Sequence, residues 1–244
     1  MDEKKKSKGQ SSSSSGSSRV RVCEHLSFAA KEAFKRLRTN VLNKFPEGDA
    51  DCKIIGVTSA QPSEGKSTIA LNLSYSIAEL GKKVLLIDAD MCRPSLHVKA
   101  NVVRTPGLAD LLGSSNSISS AIRTYQSSKN DTHFDIIPGG EIPSNPSELL
   151  TSKRMETLLR TLATAYDIII IDLPPVGAVV DAVSVSKKTD GMLVVLRENN
   201  CPRGVFNDCV SQLQEANVRI LGFVINGALE GAGKKYQYSN YSYY

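Results

Sequence analysis

The chain has 244 residues, with 30 lysines and arginines against 25 aspartates and glutamates, a formal charge of +5. Hydrophobic residues make up 41% and tryptophan is absent, an ordinary globular composition that excludes a wholly disordered chain, a collagen-like fibre and a disulfide-framework miniprotein. The charge sits at the ends: residues 1–21 carry a net +4 and residues 230–244 a net +1, so the body is neutral and nucleic acid is not an expected partner.

Residues 1–18 run from lysine into serine and glycine. Such a segment buries too little apolar area to offset its ordering entropy, so residues 1–21 are set apart as a disordered basic, serine-rich tail. A basic arm touching a membrane is the functional alternative to a plain solvated tail. Leu26, Ala30, Ala33, Phe34, Leu37, Val41 and Leu42 recur near helical spacing, which predicts a helix over 26–44 that Pro46, Gly48 and Asp49 stop. Strands are then predicted at 53–58, 83–88, 134–137, 167–172, 191–196 and 219–225. Helices are predicted at 66–80, 107–112, 117–124, 152–165, 181–187 and 203–216. Runs such as Val84–Ile87 and Ile168–Ile171 are apolar at every position, the mark of strands buried on both faces. The pattern predicts an α/β fold: a doubly wound, mostly parallel sheet flanked by helices, in one domain over 22–229, with a flexible tail at 230–244.

The first strand leads into Ser59-Ala60-Gln61-Pro62-Ser63-Glu64-Gly65-Lys66-Ser67-Thr68 and a helix follows at once. This is a P-loop pattern, with Ala60 where the first glycine usually stands. Backbone N–H groups of Ser63 to Thr68 must point into one concavity to hold phosphate oxygens, and Gly65 permits that approach. Lys66 supplies a compact cation to the phosphates, the Ser67 hydroxyl a ligand for Mg²⁺, and the helix start its dipole.

The second strand ends in Asp88-Ala89-Asp90. Positions two apart face the same way, so both carboxylates leave the carboxyl edge of the sheet together, and a phosphate-bound Mg²⁺ would relieve their repulsion. Asp167-Ile168-Ile169-Ile170-Ile171-Asp172 closes an apolar strand on one acid, the Walker-B pattern, which gives Asp172 to the metal. Asp181 reads better as a helix N-cap than as a ligand. Asn226 ends the last strand at the same edge and offers a donor and an acceptor to an adenine, although a strand-end turn also favours asparagine.

Cys23, Cys52, Cys92, Cys201 and Cys209 have neither disulfide-framework nor zinc spacing, which favours a reducing cytosol. His25, His97 and His133 are isolated and read as incidental. The longest aliphatic run is too short to span a bilayer, which takes ~20 residues, so a membrane role requires a partner.

Together the P-loop, the doubled acid and the Asp-x-Pro-Pro strand end resemble the deviant-Walker P-loop ATPases, a group covering septum placement, plasmid partition and the bacterial tyrosine kinases of capsule and exopolysaccharide export. Residues 138–150, Pro-Gly-Gly-Glu-Ile-Pro-Ser-Asn-Pro-Ser-Glu-Leu-Leu, and 88–94, Asp-Ala-Asp-Met-Cys-Arg-Pro, are similar to the stretches that mark the kinases. The segment from Glu32 to Asn40 resembles their Glu-x-x-Arg-x-x-Arg oligomerisation helix, which puts Glu32, Lys35 and Arg38 at an interface between subunits. Three positions depart from the pattern: Cys92 and Lys35 replace arginines and Leu173 replaces a threonine.

The resemblance implies an autophosphorylating protein-tyrosine kinase using ATP and Mg²⁺. Lys66, Asp88, Asp90 and Asp172 would be catalytic, with Asp88 taking or orienting the acceptor proton and Ser67, Asp88, Asp90 and Asp172 around the metal. The acceptors would be Tyr236, Tyr238, Tyr241, Tyr243 and Tyr244 of a neighbouring chain, five tyrosines in nine residues. It further implies a ring-shaped homo-oligomer, a transmembrane activator or polysaccharide co-polymerase subunit, a cognate tyrosine phosphatase, and a place on the cytoplasmic face of the membrane held through that activator. The alternatives are a deviant-Walker ATPase switch and a nucleotide-binding regulatory subunit with weak catalysis.

Overall fold

The computed structural model describes residues 22–46, 51–114, 116–177 and 181–227. The expected tails, including all five terminal tyrosines, lie outside the described residues. In chain order the elements are a 3-10 turn (Cys23–His25), α1 (Phe28–Leu42), β1 (Lys53–Ser59), α2 (Lys66–Ala78), β2 (Val84–Asp88), α3 (Leu96–Ala100), α4 (Leu108–Gly113) and α5 (Ile118–Ala121). They continue with β3 (Arg123–Gln126), β4 (His133–Ile137), α6 (Pro146–Thr151), α7 (Lys153–Ala163), β5 (Ile168–Asp172), α8 (Asp181–Ser186), β6 (Gly191–Arg197), α9 (Arg203–Glu215) and β7 (Ile220–Asn226).

The strands form a seven-stranded sheet in the order β3-β4-β2-β5-β1-β6-β7. Every neighbouring pair is parallel except β3 with β4. The all-apolar runs have the expected consequence. Along β5, Ile169 and Ile171 enter one core with Leu158, Leu162 and Leu213 from α7 and α9. Ile168 and Ile170 enter the other with Leu71, Leu73 and Val41 from α2 and α1. Both layers are sealed because successive side chains of a strand point to opposite faces.

The sheet also sets the site. Asp88, the last residue of β2, stands in register with Asp172, the last residue of β5, and Val57 of β1 is in register with Asp172 on the other side. The carboxyl ends of three adjacent strands therefore meet at one edge, where ligands of open α/β sheets bind.

The expected helix at 117–124 is corrected: only Ile118–Ala121 is helical, and Arg123–Gln126 is the antiparallel edge strand β3. The physical reason is pairing. Tyr125 stacks on Phe134 of β4, with ring centroids 5.1 Å apart, while Thr124 and Gln126 face outward. Short helices α3 and α6 were not expected; α6 starts with Pro146 in its first turn, where a missing N–H costs nothing. Helix α8 starts where expected, but Asp181 is its first helical residue and not its N-cap.

Candidate active site

The loop between β1 and α2 is shaped by two left-handed residues, Ser63 (φ 66°) and Gly65 (φ 94°). Gly65 is required twice over: the conformation favours glycine, and a Cβ there would stand 2.1 Å from the Asn226 side-chain nitrogen. Hydrogen bonds hold the loop's entry. Thr58 Oγ1 donates to the Pro174 carbonyl at 2.7 Å, joining the P-loop strand to the Asp-x-Pro-Pro turn. Glu64 is fully buried and its Oε2 accepts the Gln61 N–H at 2.9 Å.

Lys66 opens α2 and is itself buried. Its Nζ lies 2.7 Å from Asp90 Oδ2, 3.3 Å from Asp172 Oδ1 and 3.4 Å from Ser67 Oγ. Burial by itself would depress the ammonium pKa, but the carboxylates of Asp172 and Asp90 more than offset it and hold the pKa above its ordinary value. The lysine therefore stays charged and ties the P-loop to both acidic motifs.

Asp88 is sealed, with no exposed surface, and its Oδ2 accepts the N–H groups of Ser95 and Leu96 at 2.9 Å each. Burial pushes its carboxyl up to about 7 and the neighbouring Asp172 adds to the rise, against the opposing pull of those N–H groups and of Lys66. Asp172 is raised for the same first reason, burial, with Lys66 and Ser67 opposing it. One oxygen of each acid, Asp88 Oδ1 and Asp172 Oδ2, makes no hydrogen bond. Two buried carboxylate oxygens without donors, beside the Ser67 hydroxyl, are hard ligands of the kind a Mg²⁺ takes, so the residues present fit that ion. Among the described residues no three acidic, histidine or cysteine side chains gather into a self-contained metal cage. Magnesium held through a nucleotide does not need one, since it keeps water and phosphate oxygens among its ligands.

A cavity of about 400 Å³ opens over this cluster. Ser63, Gly65, Lys66, Ser67 and Thr68 form one wall, Asp90, Cys92, Arg93 and Lys99 another, and Pro174 and Pro175 also line it. The fold thus brings together Ser63 to Thr68, Asp90 and Asp172 as the sequence predicts, with Asp88 just beneath. Asn226 is also adjacent, but its Nδ2 is committed to the Glu64 carbonyl at 2.9 Å. Glu32, Lys35 and Arg38 lie apart on α1. Glu32 and Lys35 pair with each other on the surface at 2.8 Å, whereas Arg38 turns inward, donating to the Ser76 carbonyl and lying 3.6 Å from Glu79, which caps the end of α2.

Sequence reasoning missed Lys99, which lines the cavity from α3, because the segment 96–100 carried no readable element. It also missed Arg197, whose Nη1 reaches the Ser63 carbonyl at 3.5 Å from the end of β6. The signal for both was position only: a cation just past a strand or motif that ends at the ligand edge.

Residues 52–217 match the family model described as an AAA domain. Tyrosine-protein kinase YwqD of Bacillus subtilis (strain 168) is 36% identical over 213 residues, covering 87% of this chain and 85% of that protein. The chain belongs to the bacterial tyrosine-protein kinase family. The solved kinase domain of the Escherichia coli tyrosine kinase ETK superposes with a TM-score of 0.76 at 32% identity, over 87% of this chain and 79% of that one. The putative tyrosine-protein kinase EpsB of Ralstonia solanacearum is 37% identical over 86% of this chain, but the match spans only 27% of that protein's length. The family match spans β1 to α9, with the P-loop and the acidic edge, and stops before β7.

Proposed function

We propose that this kinase transfers the γ-phosphoryl group of ATP to tyrosine hydroxyls, with the C-terminal cluster Tyr236, Tyr238, Tyr241, Tyr243 and Tyr244 of neighbouring copies as acceptors. The observation that carries the reading is the Lys66 ammonium set between Asp90 and Asp172 at the floor of the cavity. Phosphoryl transfer asks a protein chiefly for positioning and charge neutralisation. The loop amides from Ser63 to Thr68 and Lys66 hold the phosphates. Ser67, Asp172, Asp88 and Asp90 would hold Mg²⁺, which supplies charge to the phosphate oxygens when bound. Asp88, whose proton affinity is raised into the neutral range, receives or orients the tyrosyl proton.

A catalytic domain at 22–229 between two polar tails, assembled as a ring through the outward-facing Glu32 and Lys35 of α1, with Arg38 fixing that helix to its own chain, completes the reading. A transmembrane activator of the polysaccharide co-polymerase kind would hold it at the cytoplasmic face, a tyrosine phosphatase would reset it, and its output would be control of capsular or exopolysaccharide polymerisation and export. Among the described residues no helix is long and apolar enough to cross a membrane.

Intact-mass spectrometry before and after Mg·ATP tests the proposal. Increments of one phosphate should appear on the C-terminal peptide, and Lys66→Met should reduce them by about 100-fold or more. Release of inorganic phosphate with no mass change would replace the kinase reading by an ATPase switch. A second reading, a nucleotide-binding subunit with weak catalysis, draws on Cys92 at the cavity wall where the family pattern has arginine. It predicts nucleotide binding without either product.

A further inference from the structure

A second concave space adjoins the nucleotide cavity. It is an open groove of about 1680 Å³ between the 3-10 turn and α1, helix α3, and the edge strand β3 with the turn that follows it. Ser95 and Lys99 line both spaces, so the groove runs up to the wall of the catalytic cavity. Its chemistry is of two kinds. Lys31, Lys99 and Lys129 place three ammonium groups along it, and among the described residues none of the three is ion-paired. The one carboxylate in the lining, Glu24, is already taken by Tyr125, Ser127 and Ser128. Between the cations lie apolar surfaces, Pro94 and Val98, the latter 72% exposed.

Apolar contacts interleaved with ammonium groups that have no carboxylate partner suit a ligand that alternates aromatic rings with dianions. The chain has one segment that becomes such a ligand. Unmodified, residues 230–244 are net +1 and would be repelled, as would residues 1–21 at net +4. Each phosphate adds about −1.5 to −2 charges, so a single phosphotyrosine already reverses the sign of the tail. Its side chains between Tyr236 and Tyr244 are otherwise Gln237, Ser239, Asn240 and Ser242, with nothing to compete with the rings for the apolar surface.

We propose that this groove binds the phosphotyrosines already formed on the C-terminal tail of a second copy, holding that tail beside the catalytic cavity while its remaining tyrosines are phosphorylated. The proposal rests on the tail-phosphorylation reading above, and it assigns a role in retaining product to Lys31 and Lys129, which lie outside the nucleotide cavity, and to Lys99, which lines both spaces.

Calorimetric titration of full-length Lys66→Met protein with a synthetic peptide of residues 230–244 tests it, using the unmodified peptide and the form phosphorylated at Tyr238, Tyr241 and Tyr243. The phosphorylated peptide should bind at least about tenfold more tightly, and Lys31→Gln with Lys129→Gln should cost about tenfold. Because Lys129 also donates to the Glu24 carbonyl and helps hold the N-terminal turn, Lys31→Glu alone serves as a second variant remote from that contact. Equal affinity for the two peptides, or full affinity in the lysine variants, overturns the proposal. Phosphatidylcholine vesicles containing phosphatidylserine form a separate arm: if the variants lose only vesicle binding, the groove faces a membrane and the proposal falls. The peptide arrives already phosphorylated, so its binding does not depend on catalysis. Tail labelling by ATP in the wild-type protein without phosphopeptide binding removes the groove alone. Phosphopeptide binding without tail labelling keeps the groove as a phosphotyrosine site and removes the self-phosphorylation reading.

Discussion

Asn226 shows how a residue's place in a fold differs from its type. An amide at the ligand edge suits an adenine, yet its nitrogen is spent on the Glu64 carbonyl and it closes over Gly65. In this arrangement Asn226 positions the P-loop. Asn226→Asp would set a carboxylate against a carbonyl oxygen, and the loop would lose one hydrogen bond at its tightest turn. An affinity loss of about tenfold is expected, equal for ATP and GTP because the loop holds only their common phosphates. Nucleotide titrations check this: a selective loss of ATP with GTP unchanged would restore the adenine-reading role. Asp88 teaches the same lesson. Its pairing with Asp90 was legible from their spacing, but its closure beneath the segment 90–96 was not, because that depends on N–H groups seven and eight residues away turning back onto it.

Two contacts between elements lead to further predictions. Glu24, in the 3-10 turn, clasps the chain's N-terminal part to the end of β3: its carboxylate accepts the Tyr125 hydroxyl at 2.7 Å, the Ser127 hydroxyl at 2.6 Å and the Ser128 N–H at 3.1 Å. Burial alone would raise its pKa, but these donors more than offset burial and hold it below the ordinary 4.5. A depressed carboxylate stabilises the fold above its unfolded pKa and loses that contribution as pH falls through the lower folded value. Glu24→Gln should therefore melt about 2–8 °C below wild type at pH 7, and the gap should close as pH falls below 4. A gap that is constant with pH would mean lost packing and not lost charge. On α1, Arg38 docks its own chain while Glu32 and Lys35 face outward, so the two ends of the motif should behave differently. Arg38→Ala should lower fold stability by about 1–2 kcal/mol, whereas Glu32→Ala should change it by less than about 0.5 kcal/mol and act on assembly alone. Denaturant midpoints and sedimentation, measured on the same samples, separate the effects. The elements that were readable from sequence are those buried on both faces, such as β2 and β5, where every residue before the closing aspartate is apolar. Strand β3 was not, since an edge strand of four residues with one wet face shows its pattern only beside its partner β4.

At the scale of the whole molecule, a neutral body carries charged ends. The proposed acceptors lie in one of those ends, at 236–244, so the reaction would rewrite the charge of the segment that links copies. A tail that enters a neighbour's site as a weakly basic peptide leaves it strongly acidic after several transfers. Dianions accumulating near the acidic edge formed by Asp88, Asp90 and Asp172 repel it at the range of a Debye length, about 8 Å at physiological salt. The lysine groove would hold the first phosphates, and repulsion would win as their number grows. Assemblies of wild-type protein should therefore shrink on incubation with Mg·ATP, as followed by light scattering together with intact mass, and the shrinkage should lag the first phosphate. Replacing all five terminal tyrosines with phenylalanine should leave the assembly intact with ATP present, as should Lys66→Met. Dissociation of the phenylalanine variant by ATP would show that nucleotide binding, and not tail charge, controls assembly.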